Sequence, residues 1–191
     1  MTARPVRGVA QAWVSLRADD PEAVSAAAVA RRSLAAGRAL ASLRRFRLLE
    51  VRGVLPARAA LEDLLHRSIQ FYNPHQEQCV VRMEAGEPAP VRPEEQAVLV
   101  FERGGERRVP AERWWSHVTG EVVEVREGVV WALGFGAGVD GVAAAADLAV
   151  LRAQGLGLLC NPHAQESRFS GANVPLSWIL QERTRPPKGR R

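Results

Sequence analysis

FYNPHQEQCVVR (Phe71 to Arg82) and LLCNPHAQESRF (Leu158 to Phe169) share the tripeptide Asn-Pro-His, at residues 73–75 and again at residues 161–163. The two copies are 161 − 73 = 88 residues apart. At that offset the agreement extends upstream without a gap, through Val51/Val139, Gly53/Gly141, Val54/Val142 and Ala57/Ala145. Both stretches pass from an apolar run through a Gly-Val turn and an Ala- or Leu-rich helix into the tripeptide. A period of this length is too long for a solenoid repeat, and it predicts one small folding unit used twice.

The first repeat unit reads as strand, helix, strand, helix, strand. Asp19-Asp20-Pro21-Glu22 begins the first helix, with an N-cap, a proline in the first turn and an early acidic residue. This helix is expected to stop near Gly37, and the second covers residues 57–66. The predicted strands cover residues 11–17, 43–52 and 78–83. With room for one more short strand, this order predicts a four-stranded antiparallel sheet backed by two helices.

The same order of elements is predicted again after residue 96. Gly104-Gly105 ends the first strand of this unit, and Gly128 is expected to separate a half-exposed strand from an apolar one. The strands are predicted at residues 97–102, 121–127, 129–135 and 166–169, and the helices at residues 110–118 and 142–154.

The predicted fold class is therefore α+β. It has two tandem βαββαβ units of the split βαβ, or ferredoxin-like, type, packed as a pseudo-dimer whose antiparallel sheets are backed by helices. The predicted divisions are a first unit at residues 9–84, an exposed Pro- and Glu-rich linker at 85–95, a second unit at 96–172, and a C-terminal extension with a basic tail at 173–191. Within the extension, Trp178 and Ile179 are expected to pack back on the body.

The charge, the cysteines and the apolar runs of the sequence limit the kinds of partner and the cellular compartment that we expect. The formal charge is +5, with much of the arginine excess at the two ends. Such a tail can attract phosphate groups, but a solvated terminus is its ordinary role, so a nucleic-acid partner is not expected. Cys79 and Cys160 form neither a CxxC nor a zinc-like spacing, and free thiols fit a cytoplasmic protein. No secretory signal is expected, and the apolar run at 129–151 contains Asp140 and Asp147, which favours a buried strand and helix over a membrane span.

The repeated tripeptides are the candidate binding or turn motif: Asn73, Pro74, His75, Asn161, Pro162 and His163. Proline ends a helix, and it holds the preceding asparagine in extended geometry, where the amide can bond to nearby backbone groups. The histidines are expected at equivalent places, where pseudo-twofold packing could bring them near each other. The motif contains no adjacent carboxylate, so no metal site is predicted.

Trp114 and Trp115 are adjacent on a short predicted helix, so both cannot face one narrow core. One is expected in the core, and the other is a possible partner contact.

The sequence contains no nucleophile elbow, Walker loop, dinucleotide fingerprint or HExxH motif. GFGAG at residues 134–138 lacks both the following Lys-Ser/Thr and the three-glycine spacing of a phosphate loop. No catalytic residue and no cofactor is therefore predicted.

The segments Leu158 to Phe169 and Phe71 to Arg82 resemble the end of the small S subunit of phosphoribosylformylglycinamidine synthase, where a helix runs through Leu-Leu-Ala-Asn-Pro into the last strand. Asp20-Pro21-Glu22 resembles that family's Asp-Pro-Gln/Glu-Gly turn, and Val125 to Val129 resembles its Val-Arg-x-Gly-Lys strand. The first unit departs from the family in lacking the Gly-Lys signature, and the second in lacking Asp-Pro-Gln-Gly. Both units have histidine after Asn-Pro.

The resemblance implies two S-like units fused in one chain. Such a protein would be a non-catalytic bridging subunit in de novo purine biosynthesis, placed between an ATP-using synthetase subunit and a glutaminase subunit, with a homo-oligomer also possible. The assembled family enzyme converts formylglycinamide ribonucleotide, ATP and glutamine to the amidine. Two alternatives stay open: a metabolite-binding or regulatory ferredoxin-like module outside purine synthesis, and an RNA-binding protein acting through its Arg-rich ends.

Overall fold

Seven strands form one open antiparallel sheet in the computed structural model, which describes residues 6–152 and 156–180. The strands are β1 (Val6–Leu16), β2 (Leu40–Leu55), β3 (Glu77–Arg82), β4 (Glu95–Glu102), β5 (Glu106–Arg107), β6 (Val123–Phe135) and β7 (Gln165–Ser170). The helices are α1 (Pro21–Ser33), α2 (Arg58–His66), α3 (Val109–Thr119) and α4 (Gly141–Ala149), with a 3-10 helix at Ala36–Ala39. The strand order is β3-β1-β2-β6-β4-β7, and β5 pairs with β6. The predicted α+β class is confirmed.

The start of α1 follows the sequence prediction closely. The side chain of Asp20 accepts hydrogen bonds from the backbone N–H groups of Glu22 and Ala23 at 2.9 and 3.3 Å, and Pro21 occupies the first turn. These bonds satisfy donors that have no partner inside the helix. The helix ends at Ser33, before the predicted stop at Gly37, which lies instead in the 3-10 helix.

All four α-helices lie on one face of the sheet, called here the helical face. α2 and α3 pack in one core cluster with Val51 and Val125, which are paired across β2 and β6. α1 and α4 pack in another cluster with Val98 and Trp131, which are paired across β4 and β6. Side chains alternate along a strand, so Val125 and Trp131 of β6, six residues apart, project from the same face.

Two chain segments cover the opposite face. Residues 84–95 bury Ala89 and Val91 there, and residues 174–180 bury Val174, Trp178 and Ile179. The prediction that Trp178 and Ile179 pack back on the body is confirmed. The segment at 85–95, predicted to be an exposed linker, is exposed only in part, because this sheet face is apolar and Ala89 and Val91 cover it.

The predicted strand count differs from the structure in both halves. β2 is one strand of 16 residues, so the first half contributes three strands to a shared sheet rather than a four-stranded sheet of its own. Gly128 does not separate two strands but lies within β6. A Cβ at Gly128 would lie 2.8 Å from Leu99 Cδ1, so glycine leaves room for the buried Leu99 side chain of β4.

The strand pairing has the same pattern in both halves. β1 pairs with β3 so that Leu16 faces Glu77, and β4 pairs with β7 so that Glu102 faces Gln165. These partners are related by 102 − 16 = 86 and 165 − 77 = 88 residues. Exchanging β1, β2 and β3 with β4, β6 and β7 gives the same strand order, read from the other edge of the sheet.

The apolar run at residues 129–151 forms part of β6 and all of α4, as the sequence predicts. Among the helices within residues 6–152 and 156–180, none has the length and apolar character needed to cross a bilayer.

Candidate functional site

The two Asn-Pro-His tripeptides form the same turn. Oδ1 of Asn73 accepts a hydrogen bond from the backbone N–H of His75 at 3.1 Å, and Oδ1 of Asn161 accepts one from the N–H of His163 at 3.0 Å. This is the side-chain-to-backbone bond by which asparagine stabilises a turn. The predicted turn role of both asparagines is therefore present in the structure.

Each turn is also held from the strand beside it. Arg17, just after β1, donates from Nε to the carbonyl of Pro74 at 3.3 Å, and Arg103, just after β4, donates to the carbonyl of Pro162. The two arginines are 103 − 17 = 86 residues apart, which is also the separation between equivalent positions of β1 and β4. The proline carbonyls are thus hydrogen-bond acceptors in both turns.

The expected proximity of the two histidines is wrong. β3 and β7 are the opposite edge strands of the sheet, and His75 and His163 are exposed in the turns that precede them. Five strand spacings at about 4.8 Å each separate the two edges by roughly 24 Å. The four strands β1, β2, β6 and β4 lie between these two edges, so the turns are far apart.

Trp114 and Trp115 divide between surface and core as predicted. Trp115 is fully buried, and Trp114 is partly buried with its ring centroid 5.8 Å from that of Phe71. A partner contact through Trp114 stays a prediction. The indole Nε1 of Trp115 has no hydrogen-bond partner within the described residues.

Two adjoining cavities lie over β2 and β6 on the helical face, and together they are called here the central cleft. The first-half cavity has a volume of about 260 Å³ and the second-half cavity about 330 Å³. They share Glu22 and Arg45. The first is also lined by Val14, Leu16, Arg47 and Glu77, and the second by Val100, Glu102, Glu106, Glu127, Val129, Trp131 and Gln165.

The two cavities occupy equivalent positions in the two halves. Val14 pairs with Arg47 across β1 and β2, just as Val100 pairs with Val129 across β4 and β6. The lining residues of one cavity correspond to those of the other at fixed differences in residue number. The difference is 86 between β1 and β4, 82 between β2 and β6, and 88 between β3 and β7. The related pairs are Val14/Val100, Leu16/Glu102, Arg45/Glu127, Arg47/Val129 and Glu77/Gln165.

Ion pairs fill the first-half cavity. Arg45 lies 3.3 Å from Asp20 Oδ2 and 3.0 Å from Glu22 Oε2, and Arg47 lies 3.0 Å from Glu77 Oε1. The backbone N–H of Asn73 donates to the same Glu77 at 2.6 Å, which connects the first turn to the cleft. The pairs of Arg45 with Asp20 and of Arg47 with Glu77 are partly buried, so solvent screens them less than it screens surface pairs, whereas Glu22 is exposed.

Glu127 stands between the two cavities. Its Oε1 lies 3.5 Å from Arg47 Nη1, and its Oε2 lies 3.0 Å from Arg108 Nε, an ion pair without hydrogen-bond geometry. Nearby, Arg45 lies over the indole of Trp131, with its Cζ 5.8 Å from the ring centroid.

Glu102 and Glu106 contribute two of the negative charges that line the second-half cavity. Glu102 accepts a hydrogen bond from Gln165 Nε2 at 3.2 Å, and both glutamates are exposed. The cavity lining has four glutamates, at 22, 102, 106 and 127, and one arginine, a formal charge of 1 − 4 = −3. The whole chain carries +5, so this cavity is a local reversal of sign.

A buried polar network lies on the opposite face of the sheet, where Glu50, Gln11 and Arg82 follow one another across β2, β1 and β3. Burial raises the pKa of Glu50, although Gln11 Nε2 and the backbone N–H groups of Trp178 and Leu180 donate to its carboxylate. Burial lowers the pKa of Arg82.

Sequence reasoning did not identify the central cleft or this network. The signal was present in β2, where Arg45 and Arg47 alternate with Phe46 and Leu48. A strand that is charged on one face and apolar on the other is ordinarily half-exposed, but here helices cover the charged face as well.

The thiols are not activated for nucleophilic chemistry. Burial raises the pKa of Cys79 to about 12 and also raises that of Cys160. Both are free thiols, as predicted. Within residues 6–152 and 156–180 there is no group of three His, Cys, Asp or Glu side chains suited to hold a metal ion.

Comparison of the chain with protein-family models, with curated proteins and with solved structures returns no match.

Proposed function

We propose that this chain is a non-catalytic bridging subunit of phosphoribosylformylglycinamidine synthase, with two S-like ferredoxin-like units fused into a cytoplasmic pseudo-dimer. The observation that carries the proposal is the matching pair of turns. Each half places an Asn-Pro-His turn before its edge strand and holds the proline carbonyl with an arginine that follows a central strand. The resemblance of the Leu-Leu-x-Asn-Pro segment to the S-subunit family also supports the proposal.

In this proposal β2 and β6 form the interface between the two units. Their antiparallel pairing runs from Leu40/Phe135 to Gly53/Val123, a longer contact than any other strand pair makes within the described residues. Equivalent positions of β2 and β6 are 82 residues apart. Arg47 and Val129 are paired across the two strands and are also equivalent positions, since 47 + 82 = 129, so the proposed pseudo-twofold axis passes through this pair. The first half has the single strand β2 between its two helices, where a ferredoxin-like unit has two consecutive strands.

Fusion allows the two halves to diverge, which a homodimer with identical chains does not. The edge strands differ in this way: β3 reads EQCVVR and β7 reads QESRFS. Two different edges on one rigid sheet would hold a synthetase subunit and a glutaminase subunit in fixed alignment, which is how a bridging subunit promotes transfer between active sites.

Reconstitution tests this function. Synthetase and glutaminase subunits of the pathway would be assayed for amidine formation from formylglycinamide ribonucleotide and ATP, with and without this chain. We expect the chain to be required when glutamine supplies nitrogen and dispensable when an ammonium salt does, because free ammonia bypasses docking. If glutamine-dependent activity is the same without the chain, the proposal is wrong.

The two edge strands each offer one exposed apolar side chain for the same assay. Val80 on β3 and Phe169 on β7 are 45% and 46% exposed. We expect Val80→Glu and Phe169→Glu to weaken binding of different partner subunits in a pull-down, while both variants unfold at the wild-type temperature. Loss of the same partner from both variants would contradict edge-specific docking.

A second candidate function is a metabolite-binding module, and the central cleft is the observation that favours it. The cleft lies at the junction of the two halves and combines an apolar floor with converging charged groups, as ligand sites commonly do.

A further inference from the structure

We infer that the opposite face of the sheet is a peptide-binding groove, and that residues 174–180 of a second copy of this chain fill it in exchange for the chain's own. These residues are called here the strap. The result is a domain-swapped pair in which each copy covers the sheet of the other. This inference does not depend on the bridging function.

The strap lies on the sheet without being part of it. Residues 174–180 form no helix or strand, and none of the described strands pairs with their backbone. The strap is held instead by the burial of Val174, Trp178 and Ile179 and by hydrogen bonds with side chains of the sheet. The other covering segment, residues 84–95, leads from β3 into β4 and is fixed at both ends, whereas the strap follows β7 and leads into no described strand.

Two buried donors of the sheet bind backbone carbonyls of the strap. Gln11 Nε2 donates to the carbonyl of Pro175 at 2.8 Å, and Arg82 Nη2 donates to the carbonyl of Val174 at 3.1 Å. Gln11 is fully buried and Arg82 is 2% exposed, so bulk water cannot replace these carbonyls. Buried donors require acceptors, so this part of the groove requires a peptide backbone.

A buried carboxylate binds backbone N–H groups of the strap. Glu50 accepts hydrogen bonds from the N–H groups of Trp178 and Leu180 at 2.5 and 2.9 Å, and it also interacts with the N–H of Ile179. Successive N–H groups that converge on one anion form a nest. Among the described residues, Gln11 is the one donor to this carboxylate outside the strap. A buried charge is costly without such donors, so its presence favours specific recognition of a backbone over simple burial of an apolar segment.

Trp178 is the anchor of the strap. Its side chain is 2% exposed and lies in one core cluster with Trp13, Phe46 and Leu99 of the sheet. Arg168 of β7 donates from Nη1 to the backbone carbonyl of the same residue. A buried tryptophan surrounded by satisfied polar groups is the kind of contact that dominates binding between protein chains.

The groove does not depend on the covalent connection to its own strap. Its buried polar groups lie on β1, β2 and β3, whereas the strap follows β7 after a hinge at residues 171–173. The hydrogen bonds of this hinge are local: Val174 N–H donates to the carbonyl of Ala172 at 3.0 Å, and Ser170 Oγ donates to the carbonyl of Asn173 at 3.1 Å. The strap of a second copy presents the same groups. Because β7 is an edge strand, a second copy can approach the hinge from the side of the sheet.

The length of the hinge tests the exchange, with size-exclusion chromatography and light scattering of the full chain over a range of concentrations. Deletion of residues 171–173 removes about 10 Å of reach, so the strap cannot keep its register in its own groove. We expect this variant to be a dimer throughout the range. Insertion of three Gly or Ser residues at the same hinge is the matched control, and it should favour the monomer.

Two substitutions in the deletion variant separate strap exchange from non-specific association. Trp178→Ala removes the anchor and should weaken the dimer about ten-fold or more. Ile69→Ala removes an apolar side chain that is 80% exposed elsewhere, and it should leave the dimer unchanged. The inference is overturned if the dimer resists Trp178→Ala. It is also overturned if the folded deletion variant stays monomeric, an outcome that leaves a partner protein as the occupant of the groove.

A labelled peptide of residues 172–181 gives a second readout, by fluorescence anisotropy. The full chain with Trp178→Ala has an intact groove and a weakened strap. It should bind the peptide at least about ten-fold more tightly than wild type does, because the strap of wild type competes within the chain. The same peptide carrying Trp178→Ala should bind about ten-fold more weakly. Absence of saturable binding to the strap-weakened chain overturns the inference, and this measurement decides it if the hinge deletion prevents folding.

Discussion

Arg82 donates a 2.6 Å hydrogen bond from Nη1 to Oε1 of Gln11, and both side chains are buried between the sheet and the segments that cover its opposite face. Arg82 also donates to the carbonyls of Glu87 and Val174, at 2.9 and 3.1 Å. One arginine on an edge strand therefore joins the segment after β3 to the segment after β7. The equivalent position in the second half is Ser170 (82 + 88), so this link exists once.

Arg82→Ala is expected to destabilise the protein by about 3 kcal/mol, because it leaves buried acceptors without a donor. Urea unfolding of the variant, followed by circular dichroism, measures the loss. The control Arg52→Ala removes an exposed arginine from β2 and should stay within about 0.5 kcal/mol of wild type. Equal losses in the two variants would contradict a structural role for the Arg82 bonds.

Glu50 gives the protein a predictable pH dependence. Burial raises its pKa in the folded state above the ordinary carboxyl value, so the folded state takes up a proton before the unfolded state does. As pH falls from about 7 towards about 5, wild type should gain stability relative to Glu50→Gln, which cannot titrate there. Unfolding free energies of both proteins across this range measure the difference. A difference that is constant or has the opposite slope would contradict the assignment.

Two buried tryptophans offer a matched test of a single hydrogen bond. Nε1 of Trp13 donates to Gln11 Oε1 at 3.1 Å, whereas Nε1 of Trp115 has no partner within residues 6–152 and 156–180. Both rings are almost inaccessible, so phenylalanine leaves a similar void at each. Trp13→Phe should therefore cost about 1 kcal/mol more than Trp115→Phe in urea unfolding. The reverse order would show that packing, not hydrogen bonding, dominates at these sites.

Gly128→Ala should destabilise the sheet by about 1–3 kcal/mol, because the new methyl group would lie 2.8 Å from Leu99 Cδ1 and 3.2 Å from the carbonyl of Val100. Gly8, in β1, has open space around the same position. Gly8→Ala is thus the control, and it should be neutral or slightly stabilising since alanine restricts the unfolded chain. Thermal unfolding of both variants distinguishes a steric effect from a general effect of glycine replacement.

The two Asn-Pro-His turns should respond alike to mutation. Asn73→Ala and Asn161→Ala each remove the side-chain acceptor for a backbone N–H, and each should lose about 1 kcal/mol. His75→Ala and His163→Ala change exposed side chains, and their effect should be within about 0.5 kcal/mol. A large loss from only one asparagine would show that the turns are no longer equivalent in energy.

Local elements were predictable because their determinants lie within a few residues of each other. The Asp20 N-cap and the apolar stripe of α2, which buries Leu61, Leu64 and Leu65, are both in the structure where the sequence places them. Prediction failed where a neighbour distant in the chain decides the outcome. Gly128 looks like a strand break when read alone, but it lies within β6, where the absence of a side chain leaves room for Leu99 of β4.

The repeated tripeptide and the Asp20 helix cap are properties of the linear chain, so the alternation of strands and helices in the first half could be predicted from the sequence alone, whereas β6 of the second half was expected to be two strands. Only the folded chain decided that the halves share one sheet through β2 and β6 and that the two histidines lie at opposite edges. It alone brought Arg45, Glu127 and Glu102, from three separate strands, to one cleft. The physical reason is that caps and periodicity act over a few residues, whereas strand order and charge pairing depend on which distant strands form hydrogen bonds with each other.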